Sequence, residues 1–153
     1  MKDYDNLSDD YSIEFTSKLV AAGGDWSRLD EDEQEIAALW KLYVDINNGG
    51  FIQFFCNWGF QCLCYAMRGL KRIEDTSLYD LLDDTYCNVL DKFKNDTRLT
   101  AYWDIPEYLT DEDMERLDAA DTQFYETECE HFTKMAYEYY SQTLKKMVTP
   151  VNG

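Results

Sequence analysis

The stretch Val44-Asp45-Ile46-Asn47-Asn48-Gly49-Gly50-Phe51-Ile52-Gln53-Phe54-Phe55-Cys56-Asn57 decides how this chain is read. Asn and Gly tolerate left-handed backbone, so Asn47-Asn48-Gly49-Gly50 predicts the end of a helix. Phe51, Phe54 and Phe55 then place three rings within a five-residue span, predicting a short aromatic helix from Phe51 to Asn57 and a turn at Gly59. Full burial of each ring is worth about 1.5–3 kcal/mol, so all three are expected inside, with Gly49 or Gly50 at positive φ. Asn47, Asn48 and Gln53 offer amides either to a ligand or to helix ends. Turn chemistry already accounts for each of them, and the structural role is expected.

Working outward, the apolar residues recur at helical spacing. Ile36, Leu39, Trp40, Tyr43 and Val44 form a stripe behind the acidic run Asp30-Glu31-Asp32-Glu33, which suits the positive end of a helix dipole. Before it, a helix from Asp10 to Ala22 stops at Gly23-Gly24 and buries Ile13, Phe15, Leu19 and Val20. After it, Gln61 to Ile73 reads as a buried helix with Arg68, Lys71 and Arg72 near its end. No acid occurs from Ile46 to Ile73, which marks the interior of the fold. Ser77 to Lys94 reads as one helix burying Leu78, Leu81, Leu82, Val89, Leu90 and Phe93. Thr97 to Tyr108, broken at Pro106, reads as irregular. Thr110 is a good N-cap with Asp113 at the third position, and a last helix runs from Thr122 to Met147 with Phe124, Phe132, Met135, Ala136, Tyr139 and Tyr140 inward. The expected fold is all-α, a single compact domain over residues 1–153 with about six to seven helices.

Composition narrows the function classes. The chain has 153 residues, 45% of them hydrophobic and 16% aromatic, enough to fill a core. Asp and Glu outnumber Lys and Arg by 31 to 14, for a formal net charge of -17. That balance disfavours direct binding to nucleic acid or to anionic membranes, both of which need cations. It favours a basic partner, or serves solubility. No apolar run spans a membrane and the first residues lack a signal segment, so a cytoplasmic location is expected. Five cysteines, an odd number, read as reduced thiols.

The densest acidity lies between Asp104 and Glu130, opposed only by Arg116 before His131. Asp111, Glu115 and Asp118 are spaced four and three apart, so a helix sets them on one face about 5–6 Å from one another. With Asp121, and with Asp80, Asp83 and Asp84 of the preceding helix, they form the candidate partner-binding face. Duplex DNA presents one charge per ~1.7 Å of axis, a density that several acidic helices side by side approach and one helix does not.

Enzyme chemistry finds little support. Nucleophile elbows and phosphate-cradling glycine loops are absent, and no carboxylate falls inside the apolar block. Cys62-x-Cys64, Cys87 and Cys129-x-His131 lack zinc spacing, and there is one His. No catalytic residue, metal ligand or cofactor is therefore assigned.

The segment Asn47-Asn48-Gly49-Gly50-Phe51-Ile52-Gln53-Phe54-Phe55 resembles the N-N-G-G-F-x-Q-F-F signature of the DNA-mimic protein family of bacteria. Upstream, Asp32-Glu33-Gln34-Glu35 leads into Leu39-Trp40 and Tyr43 as in that domain; downstream, Leu78-Leu81-Leu82, Leu117-Asp118 and Phe124-Tyr125-Glu126 continue the likeness, over roughly residues 29 to 145. Trp58-Gly59-Phe60-Gln61-Cys62 departs from it, standing where the family has a small turn with Ser and Gly. The resemblance implies an all-helical fold and, as in the family's named member, a surface that imitates duplex DNA and binds a DNA-binding regulator. Two other readings stay open: an inhibitor or immunity-type binder of another basic protein, and a carboxylate-based metal-dependent enzyme. Self-association into a homodimer also stays open.

Overall fold

Two glycines shape the centre of the molecule. Gly50 adopts φ 84° and ψ 179°, and Gly59 adopts φ 70° and ψ -162°, conformations that residues with a Cβ rarely take. Both lie inside α2 (Glu31–Arg72), whose hydrogen bonding runs on through the two breaks. α2 therefore bends into three limbs, 31–48, 51–58 and 60–72, which correspond to the three helices expected from the sequence. The computed structural model describes the chain from Ile13 to Val148, with side chains from residue 16 to 142.

Around α2 stand α1 (Ile13–Ala21), α3 (Thr76–Thr85), α4 (Asp111–Gln123) and α5 (Cys129–Val148). The fold is all-α, and no strand occurs among the described residues. Five α-helices are present among the described residues, fewer than the expected six to seven, because hydrogen bonding fuses the limbs of α2. The expected Ser77–Lys94 helix is α-helical only to Thr85 and continues as a π turn, Tyr86–Leu90, and a 3-10 turn, Asp91–Phe93. The segment expected to be irregular contains the 3-10 turn Tyr102–Tyr108, with Pro106 inside it and Ile105 fully buried. A second π turn, Phe124–Glu128, joins α4 to α5 without leaving helical backbone. Asp10 to Ser12, the expected start of the first helix, lie outside the described residues, as do the side chains of Ile13 and Phe15.

The core is as aromatic as the sequence requires. Phe51, Phe54, Phe55 and Phe124 are all essentially buried, and Phe51 meets Phe124 edge-on with centroids 6.2 Å apart. Two expected core residues face water. Val20 is 73% exposed, because Leu19 already holds the inward position and the next residue lies about 100° around the helix. Val44 is 40% exposed, since the buried positions on either side of it, Leu42 and Ile46, each lie about 200° around the helix from it.

Charge also enters the interior. Glu35 is fully buried, yet it accepts hydrogen bonds from Arg68 Nε at 2.7 Å and from Arg72 Nε at 2.5 Å. The cations at the end of α2 thus neutralise an acid near its start and lock the outer limbs together. Glu35 in turn drives the Arg72 guanidinium further toward its protonated form. Removing one partner of such a pair typically costs about 3–5 kcal/mol. No helix among the described residues is long and apolar enough to cross a membrane.

Candidate interaction surface

The Asn-Gly-aromatic stretch is a polar clasp around a helix break. Asp45, one turn before the break, is buried and acts as its hub. It accepts hydrogen bonds from Gln53 Nε2 at 3.1 Å, Asn57 Nδ2 at 3.2 Å and Trp58 Nε1 at 2.7 Å. Gln53 Oε1 in turn accepts from Asn48 Nδ2 at 3.2 Å, and Asn47 Nδ2 donates to the Tyr43 carbonyl at 2.9 Å. Trp103 Nε1 donates to Asn57 Oδ1 at 3.0 Å, tying the Tyr102–Tyr108 turn to the same clasp. Lys41 lies 3.5 Å from the centroid of the Trp58 ring, and burial lowers its ammonium below the usual lysine range. Every signature amide is thus engaged within the fold.

Asp45, Trp58 and Asp121 belong to this assembly, and sequence spacing assigns none of them to it. Their partners come from across the helix breaks, where spacing rules for a continuous helix no longer apply. The one available signal is position: Asp45 is the last acid before the acid-free stretch that begins at Ile46, and indole and amide donors follow it.

Asp121 changes role most. The sequence places it on the acidic face, but it is half-buried and its Oδ1 accepts the Phe51 N–H at 2.9 Å. It caps the limb that begins after Gly50, whose missing side chain leaves room for this carboxylate. Burial raises its carboxyl above the usual range, the Phe51 N–H pulls it back, and Asp118 raises it again. Tyr125 supports the same junction by donating its hydroxyl to the Ile46 carbonyl at 2.5 Å.

The rest of the acidic segment divides by direction. Thr110 and Asp113 form the expected capping box at the start of α4, and Asp113 is buried against Lys92. Burial raises the Asp113 carboxyl, but Lys92 and Thr110 outweigh it and hold the group below the usual range. Asp104 is used locally, accepting from the Thr100 N–H at 2.8 Å and the Thr100 hydroxyl at 2.7 Å. Glu128 turns inward. Asp111, Glu115 and Asp118 remain exposed on α4, as do Asp80 and Asp84 on α3, while Asp83 is half-buried. Arg116 is the cation on this part of α4, and it is engaged by Glu112 at 2.9 Å.

α3 and α4 adjoin, and a shallow groove between them is lined by Leu81 and Asp84 from one side and Arg116 and Ala120 from the other. Of the acids on these two helices Asp84 lines this groove, while Asp111, Glu115 and Asp118 occupy other, exposed positions of α4. Like charges three and four apart cost a few tenths of a kcal/mol per pair, a cost α4 carries at Asp111, Glu115 and Asp118. No curated protein and no solved structure matches the chain. The model of the DMP19-like protein family matches residues 27–143, which takes in the whole clasp, both acidic helices and most of α5. With a match over most of its length, the chain belongs to the DMP19-like protein family.

Proposed function

We propose that this protein is an acidic interaction module whose α3–α4 face occupies the basic surface of a DNA-binding protein. The observation that carries the reading is the exposed row Asp111, Glu115 and Asp118 on α4, with Asp80 and Asp84 also exposed on the neighbouring helix α3. These carboxylates sit on rigid helices and make no demand on the core. Family membership and the net charge of -17 support the same reading. Asp121 is withdrawn from the face, because it holds the Phe51 N–H instead. Charged pairs at such an interface act chiefly on association rate and weaken with salt.

The test is capture of partners at low and high salt by the parent and by the triple variant Asp111→Asn/Glu115→Gln/Asp118→Asn. The variant should fold normally, since exposed substitutions usually shift stability by less than about 0.5 kcal/mol each. It should lose most of the captured basic protein, and duplex DNA should displace that protein from the parent. A partner that DNA fails to displace points to inhibition of another kind of basic protein. Equal capture by parent and variant at low salt removes this face as the binding site.

A further inference from the structure

Asp75 stands at the turn between α2 and α3, and its side chain is completely buried. Oδ1 caps α3 by accepting the Leu78 N–H at 3.2 Å, and it lies 3.3 Å from His131 Nδ1. Oδ2, on the same carboxyl, is shut off from solvent and has no hydrogen-bond partner. Glu128 brings a second buried carboxylate from the last position of the π turn. One atom from each of Asp75, Glu128 and His131 lies within 4.8 Å of the other two. An orphaned buried acceptor costs about 1–3 kcal/mol, more when charged, so an unfilled oxygen here calls for a ligand.

We propose that Asp75, Glu128 and His131 bind a divalent first-row transition ion of the zinc or manganese class, which pins the start of α3 to the first turn of α5. Two carboxylates and a neutral imidazole balance a dication, which removes the repulsion between the two acids. Ligands of one such ion sit about 2.0–2.2 Å from it and so roughly 3–4 Å apart, a contraction that small side-chain rotations supply. The mixed nitrogen and oxygen set favours zinc or manganese over magnesium and calcium. Glu128 and His131 are three apart on helical backbone, the Glu-x-x-His spacing that places both groups on one face in carboxylate-bridged bundles. His131 is 47% exposed, which gives the ion a way in and leaves a position for water. The assigned role is structural; no reaction is placed there.

The test uses tag-free, chelator-treated protein, in which His131 is the single histidine. Mn²⁺ should broaden the His131 ring signals in the NMR spectrum of the parent at about one ion per chain, and Zn²⁺ should shift them and raise the melting temperature. Glu128→Gln and His131→Gln should each weaken Mn²⁺ binding at least tenfold, measured calorimetrically. Asp75→Asn should do the same while keeping the α3 cap, since Asn caps as well as Asp. Exposed thiols at Cys64 and Cys87 are controlled by a Cys64→Ser/Cys87→Ser variant, which should bind as the parent does. The inference fails if the His131 signals ignore millimolar Mn²⁺ and Zn²⁺. It also fails if binding survives Glu128→Gln unchanged or disappears with the two thiols. The NMR readout needs no substitution, so it decides between these outcomes even where a variant misfolds.

Discussion

Replacing Gly50 with Ala should be among the most damaging single changes in this protein, and its cost can be built from two parts. At φ 84° and ψ 179° the backbone lies where a Cβ is strained, worth about 1–3 kcal/mol. The new Cβ would also fall on the Asp121 carboxylate. To make room, Asp121 must give up the Phe51 N–H it holds at 2.9 Å, a charged hydrogen bond worth about 1.5–3 kcal/mol. Together these give about 3–6 kcal/mol. With a urea m-value near 2 kcal/mol/M, the unfolding midpoint should fall by about 1.5–3 M at unchanged m. Asp121→Ala should cost only the hydrogen-bond part, and toward its lower end because the carboxylate is partly desolvated. In the double variant the shared bond is lost once, so the combined cost should fall short of the sum by about 1.5–3 kcal/mol. If Gly50→Ala lies within about 1 kcal/mol of the parent, the junction is not built as described. If the two single costs add within about 0.5 kcal/mol, the coupling through Phe51 is refuted.

Asp45→Ala should cost about 1.5–3 kcal/mol in urea unfolding, since it removes the charged acceptor shared by Gln53, Asn57 and Trp58 while leaving the exposed Asn57 and Trp58 to bond water; it should also change Trp58 fluorescence. Phe124→Ala, removing a fully buried ring, should cost about 3–5 kcal/mol, and a loss under 1 kcal/mol would mean the site collapses around it. Asp113→Asn carries a pH signature. A carboxyl lowered on folding stabilises the protein above its unfolded value near 3.8 and loses that contribution as pH falls through the lower folded value. The midpoint gap between parent and Asp113→Asn should therefore be full at neutral pH and close as pH drops below about 3.8; a gap that widens in acid contradicts the Lys92 pairing.

Local rules carry far in this sequence. The glycine break, the buried rings and the Thr110–Asp113 capping box follow from turn, burial and capping chemistry read within a few residues. What fails to show is anything settled by a neighbour from another part of the chain. Asp111, Glu115 and Asp118 can be placed on one face by spacing alone, but Asp113, Asp121 and Glu128 share that acidic run and point inward. Each is drawn in by a partner distant in sequence or turned in by backbone geometry: Lys92, Phe51 and the π turn. Glu128 and His131 are legible as a pair three apart, and only folding brings Asp75 to them. The arginines near the end of α2 read as a basic terminus until the buried Glu35 supplies their purpose.

The π turn at Phe124–Glu128 works as a phase correction. Ala120, Phe124, Glu128, Phe132, Ala136 and Tyr140 are all buried and recur every four residues. On an unbroken α-helix each step of four overshoots a full turn by about 40°, so the series would wind through about 200° and leave the core. The one extra residue in the π turn hands back about 100°, which keeps the series within a single apolar stripe. The helix from α4 to α5 therefore depends on residue count as much as on residue type. Deleting exposed Thr127 alone would alter no buried side chain, yet it would rotate α5 by about 100°, turning Phe132 and Tyr140 toward water and carrying His131 away from Asp75.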